Sequence, residues 1–140
     1  MSKNKIILFS LVALIFIIIL IYFTINNRTN TTPSNRKSPD NNSLIGDWLR
    51  TDADYVIKIK SVNDDGIVEA QYFNPKLINI GRANWLANNG DLKIVVELRD
   101  VNYPGSTYTL YYLADRDMLV GDYFQAVEGV TFYVEFSRNK

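Results

Sequence analysis

The chain has 140 residues, 47% hydrophobic and 13% aromatic, and its fifteen basic and fifteen acidic side chains leave no net charge. It contains no histidine and no cysteine. That composition removes Ser-His-Asp and Cys-His catalysis, most zinc and copper sites, disulfides and thiol redox chemistry.

Ile6 to Phe23 form the first element: eighteen positions without a charge, of which only Ser10 is clearly polar. At about 1.5 Å per residue a helix of this length spans roughly 27 Å, close to a hydrocarbon core of about 30 Å. Lys3 and Lys5 precede the run, and Arg28, Arg36 and Lys37 follow it. The apolar core is longer than that of a typical cleaved signal, and Ile21-Tyr22-Phe23-Thr24-Ile25-Asn26 offers no small-residue cleavage site. Residues 1–25 are therefore expected to be a retained signal-anchor of a single-pass membrane protein. The two lysines close to the run place the N-terminus in the cytoplasm and the rest of the chain outside it, in a bacterial periplasm or at the cell surface.

Residues 26–43 read NNRTNTTPSNRKSPDNNS, with two prolines and no large apolar side chain. Such a stretch buries too little to offset its chain entropy and is expected to be a flexible linker. Its reach is roughly 20–25 Å. Residues 44–140 form one domain, with ten Lys/Arg against fourteen Asp/Glu and hence a formal charge of −4. An acidic domain with no basic run argues against nucleic acid as a partner.

Turn signals punctuate this domain: Asp64-Asp65-Gly66, Asn88-Asn89-Gly90, Tyr103-Pro104-Gly105-Ser106, Asp115-Arg116-Asp117 and Glu128-Gly129. Between them the residues alternate. Tyr55, Ile57 and Ile59 share one face; Leu92, Ile94, Val96 and Leu98 another; Phe132, Val134 and Phe136 a third. Eight strands are expected, at roughly 46–51, 55–62, 67–73, 78–87, 92–100, 107–115, 118–127 and 131–138. The fold class is all-β: an eight-stranded antiparallel up-and-down meander barrel, which removes exposed edges.

The first strand opens Gly46-Asp47-Trp48, and the last carries Arg138 on the parity of Phe132, Val134 and Phe136. A Gly-x-Trp on strand one with a basic residue on the final strand resembles the calycin pattern of avidin-like and lipocalin-type barrels. The resemblance implies that Trp48 closes one end of the barrel with Arg138 packed across its ring. The biotin-binding residue set of avidins does not map onto this chain, so biotin is not carried over. Tyr72-Phe73-Asn74-Pro75, Tyr103-Pro104-Gly105-Ser106-Thr107-Tyr108 and Gly121-Asp122-Tyr123-Phe124-Gln125 also resemble an uncharacterised group of bacterial exported proteins, which supplies no activity.

Glu69, Glu97 and Glu135 fall on outward parities, and most aspartates sit beside turns, where they cap backbone groups. No catalytic residue, cofactor or metal ion is expected. Tyr55, Tyr72, Tyr112 and Tyr123 fall on inward faces, and Gln125 shares the parity of Tyr123. Two readings stand. In one, Tyr72, Trp85, Tyr112, Tyr123 and Gln125 line a mouth that binds a small ligand. In the other, the barrel is filled, and outward Val95, Tyr111, Leu113, Phe124 and Tyr133 meet an envelope protein or a second copy of the chain. The sequence favours the second, a non-catalytic interaction module, because outward parity is visible and a cavity is not.

Overall fold

The computed structural model describes residues 40–139 together with Ile19, Ile21 and Tyr22. Those three are helical, and the rest of the expected anchor and residues 26–39 of the expected linker lie outside the described residues; residues 40–43, expected as linker, instead cap and begin a 3₁₀ turn. No helix among the described residues is long and apolar enough to cross a membrane.

A short 3₁₀ turn, Asn41–Leu44, leads into nine strands among the described residues. They are β1 Gly46–Arg50, β2 Val56–Val62, β3 Val68–Asn74, β4 Lys76–Ile78, β5 Ile80–Asn88, β6 Asp91–Asp100, β7 Tyr103–Leu113, β8 Met118–Gln125 and β9 Val130–Arg138. Their order in the single sheet is β4-β3-β2-β1-β9-β8-β7-β6-β5, every pairing antiparallel. Chain neighbours are thus sheet neighbours, and the last strand docks on the first. The result is a nearly closed up-and-down barrel.

The expected count of eight strands is corrected to nine. The single strand expected at 78–87 is broken at Asn79. Its first piece, β4, pairs with β3, and its second, β5, pairs with β6. The break is a corner where the chain leaves one sheet edge for the other. The Asp100 carboxylate accepts from the Asn79 N–H at 3.1 Å, and the Asn79 carbonyl accepts from Arg99 N–H at 2.8 Å. Pairing then slips at Gly81, where a Cβ would run into the Arg99 side chain.

A second correction concerns Tyr103-Pro104-Gly105-Ser106. This apparent turn lies inside β7, which starts four residues before its expected boundary. A register shift between Glu97 and Arg99 of the partner strand marks a bulge. Bulges accommodate a proline that cannot donate to the ladder, and Gly105 has a φ of +95°.

Closure is completed along one seam. Ile67 bridges Asn84, and Trp85 N–H donates to the Gly66 carbonyl at 2.8 Å. The Trp85 indole Nε1 donates to the Asn63 carbonyl at 2.7 Å. Inside, Trp48, Ile57, Ile59, Val68, Tyr72, Leu92, Ile94, Val96, Leu98, Tyr108, Leu110, Leu119, Val134 and Phe136 form one continuous core. The alternation of Leu92 to Leu98 is realised along β6, whose burial alternates residue by residue. Phe132 departs from its expected face-mates. It lies beyond the last filled layer and is exposed, while Val134 and Phe136 are buried.

Candidate functional site

The two ends of the barrel differ. At one end Trp48, 0% exposed, donates its Nε1 to the Leu44 carbonyl at 2.8 Å. The Arg138 guanidinium lies over the Trp48 ring, 4.1 Å from its centroid. Arg138 donates from Nη1 to the Ile45 carbonyl at 2.6 Å and from Nη2 to the Ser43 carbonyl at 2.7 Å. Its Nε meets Asp117 Oδ2 at 2.8 Å, and its Nη2 meets Oδ1 at 2.9 Å. The strand register explains the convergence: Trp48 faces Arg138 directly across the β1–β9 pair. It also explains the glycine two residues before the tryptophan. A Cβ on Gly46, whose φ is +147°, would collide with the Arg138 guanidinium. This end is plugged.

The other end is open. A cleft of about 480 Å³ is lined by Arg50, Asp52, Ala53, Tyr55, Tyr72, Asn74, Tyr103, Tyr123, Gln125 and Phe132. Its aromatic wall continues into the core. Tyr72 contacts Tyr55, Tyr103 and Tyr108 at centroid distances of 6.5, 6.4 and 5.4 Å. Tyr108 stacks on Tyr123 at 4.5 Å and meets Phe136 edge-on. The hydroxyls of Tyr72, Tyr103 and Tyr108 are satisfied within the protein. Tyr72 and Tyr108 share a hydrogen bond of 2.9 Å, and Asn74 Nδ2 donates to the Tyr103 hydroxyl at 2.6 Å.

Electrostatics fix how this mouth behaves. Burial pushes the Tyr108 phenol up to about 12 and the Tyr72 phenol further up. Burial also raises Tyr103. These groups stay neutral at ordinary pH and hydrogen-bond as phenols. Among the described residues, Arg50 is the one cation that lines the mouth. Burial works against its charge, but the bond to Asp52 and the facing Tyr108 hydroxyl outweigh that effect and leave its pKa raised. The Arg50 hydrogen bond in turn holds the Asp52 carboxyl below its usual range. Among the described residues no group of three or more carboxylates is arranged to hold a metal ion.

Of the five side chains expected to bind a ligand, three converge here: Tyr72, Tyr123 and Gln125. Tyr112 does not. It packs edge-on against Trp48 at the plugged end and donates to Asp117 at 3.1 Å. Trp85 does not either, because its indole fastens the seam. Arg50, Tyr55, Asn74, Tyr103 and Phe132 complete the mouth. Arg50 carried a readable signal, since it lies two residues after Trp48 and so points to the same side. Tyr103 was concealed by the apparent Pro-Gly turn beside it.

The outward residues are spread over four cross-strand rows of the sheet. Lys93, Tyr111, Val120 and Glu135 form one row, and Val95, Thr109, Asp122 and Tyr133 the next. Phe124 stands between Thr107 and Thr131, and Leu113 pairs with Met118. Tyr111, Phe124 and Tyr133 are exposed, whereas Val95 and Leu113 are half-buried. A charge or hydroxyl interrupts each of the rows through Tyr111, Tyr133 and Phe124.

No family model, curated protein or solved structure matches this chain.

Proposed function

We propose that this chain is a membrane-tethered barrel that binds a small ligand in its open mouth. The observation that carries the reading is the contrast between the ends: one is plugged by Trp48 and Arg138, while the other presents a tyrosine-walled cleft. Barrels of this size hold one small ligand when the side chains leave room. Aromatic faces beside a few polar groups are the usual makeup of such a site. Asn74 and Gln125 supply amides, and Arg50 supplies a charge.

The calycin-like layout supports the same reading, since Gly46, Trp48 and Arg138 meet at one end as that resemblance implies. The uncharged run Ile6 to Phe23 supports a membrane tether, with the domain on the extracytoplasmic side. The outer face supports association less directly, because its apolar side chains are interleaved with Asp122, Glu135 and threonines.

The test is calorimetric titration of naphthalene-2-carboxamide into the full chain in phosphatidylcholine nanodiscs, with empty discs as the blank. Saturable binding is expected, weakened about tenfold by Tyr103→Ala. Removing a stacking aromatic at a partly desolvated contact costs about 0.5–1.5 kcal/mol beyond its buried area. Binding that is absent, or indifferent to Tyr103→Ala, would overturn the reading.

A further inference from the structure

Arg50 is an unusual residue for its position. It has the inward parity of Trp48, and its side chain is only 12% exposed. A charge taken this far from water is unfavourable unless an opposite charge and hydrogen bonds compensate it. The charge that compensates it is the Asp52 carboxylate, with the Tyr108 hydroxyl beside it. Nε donates to Asp52 Oδ1 at 2.6 Å and Nη2 to Oδ2 at 3.0 Å. This two-pronged contact is the strongest way a guanidinium holds a carboxylate.

Asp52 is not part of the barrel wall. It belongs to the turn at 51–54 between β1 and β2, and its side chain is 61% exposed. The arrangement is therefore asymmetric: a sequestered cation covered by a solvated anion. The other arginine pairs of the outer surface differ. Arg82 and Arg99 are themselves the exposed partners, at 68% and 61%, and their shared Glu97 is the sheltered one. At Arg50 the planar cation also faces the Tyr55 ring, 5.3 Å from its centroid. Tyr103, Tyr123 and Phe132 stand around the same cleft.

Taken with the ligand-binding reading, on which it rests, this geometry points to a ligand class. We propose that the mouth takes a small acid, a carboxylate carried on a planar apolar body, and that Asp52 occupies the carboxylate's place while the mouth is empty. The ligand carboxylate takes the two donors now given to Asp52, and its body lies among Tyr55, Tyr103 and Phe132. Arg50 stays paired before and after the exchange, so its burial is never left uncompensated. The displaced Asp52 returns to water, and an exposed ion-pair partner is a weak competitor.

The experiment compares naphthalene-2-carboxylate with its neutral isostere naphthalene-2-carboxamide, titrated into the full chain in phosphatidylcholine nanodiscs. The carboxylate is expected to bind at least tenfold more tightly. Asp52→Asn removes the competing charge and is expected to tighten carboxylate binding several-fold without changing the amide. Arg50→Gln is expected to erase the preference while amide binding persists. Because Asp52 is exposed, its variant tests the exchange even if Arg50→Gln fails to fold. Equal binding of both compounds, with Asp52→Asn changing neither, overturns the acid-binding inference and leaves the ligand-binding reading intact. Binding of neither compound overturns both.

Discussion

The two ends of this barrel are built from the same three parts and behave differently. Each has an inward arginine over an aromatic ring with an aspartate closing the pair: Arg138, Trp48 and Asp117 at one end, Arg50, Tyr55 and Asp52 at the other. What differs is the anchoring. Arg138 also donates to two backbone carbonyls, those of Ser43 and Ile45, which no ligand can displace without unravelling the approach to β1. Arg50 depends on a side chain in a turn. Identical chemistry is thus a fastening where the backbone shares in it, and an exchangeable contact where it does not.

The comparison can be broken by substitution. The largest effect is expected from Trp48→Ala. It removes a fully buried ring and the surface on which Arg138 rests, and should destabilise the fold by about 3–5 kcal/mol. At the open end Asp52→Ala removes a solvated partner from a sheltered arginine and should cost less, about 1–3 kcal/mol. Urea denaturation of both variants checks this. Similar losses at the two ends would mean that Asp52 is as structural as Trp48.

An intermediate effect is expected between the ends, in base. Tyr72 and Tyr108 have folded pKa values raised above the unfolded tyrosine value of about 10. Their contribution is therefore complete below pH 10; the Tyr108 part is lost as pH rises through about 12, its folded value, and the Tyr72 part at higher pH still. Stability should fall steeply across that window, which urea denaturation at successive pH values checks. Substituting Tyr72→Phe should flatten the decline. A stability curve that stays level from pH 10 to 12 would show that the core phenols are accessible.

The smallest effect is expected on the outer face. Tyr111→Asp and Phe124→Asp should shift stability within about 0.5 kcal/mol, as exposed substitutions usually do. Sedimentation velocity of residues 44–140 should return the same monomeric species with and without them. Dissociation of an oligomer by either variant would restore the interaction-module reading and make the outer face, rather than the mouth, the working surface.

The sequence made the barrel legible because its strands are half-buried and alternate cleanly, as in Leu92 to Leu98. Gly46, Trp48 and Arg138 were legible as a group because sheet closure brings the first and last strands together. Other features required three dimensions. The break at Asn79 depends on which edge each half of the strand finds, and periodicity carries no information about edges. Tyr103 was hidden because Pro104 and Gly105 signal a turn locally, while the β6–β7 pairing absorbs them as a bulge. Tyr112 and Tyr123 share inward parity, yet height along the barrel decides which end each one serves. Arg50 is hidden for a related reason: a charge on the inward side interrupts the apolar alternation that marks a strand.

The seam between β3 and β5 has a consequence for how the molecule moves. Most adjacent strands share ladders of four to eight residue pairs, and β1–β9 and β3–β4 share three, but among the described residues one bridge, the Trp85 amide, the Asn84 side chain and one indole hold the edges here. Local opening follows the line with fewest bonds to break, so the wall parts first at Gly66 and Trp85, like a cuff unbuttoning while the sleeve keeps its shape. The two tryptophans of the chain then stand at opposite extremes of this hierarchy: Trp85 senses the first opening, and Trp48 senses only the collapse of the whole.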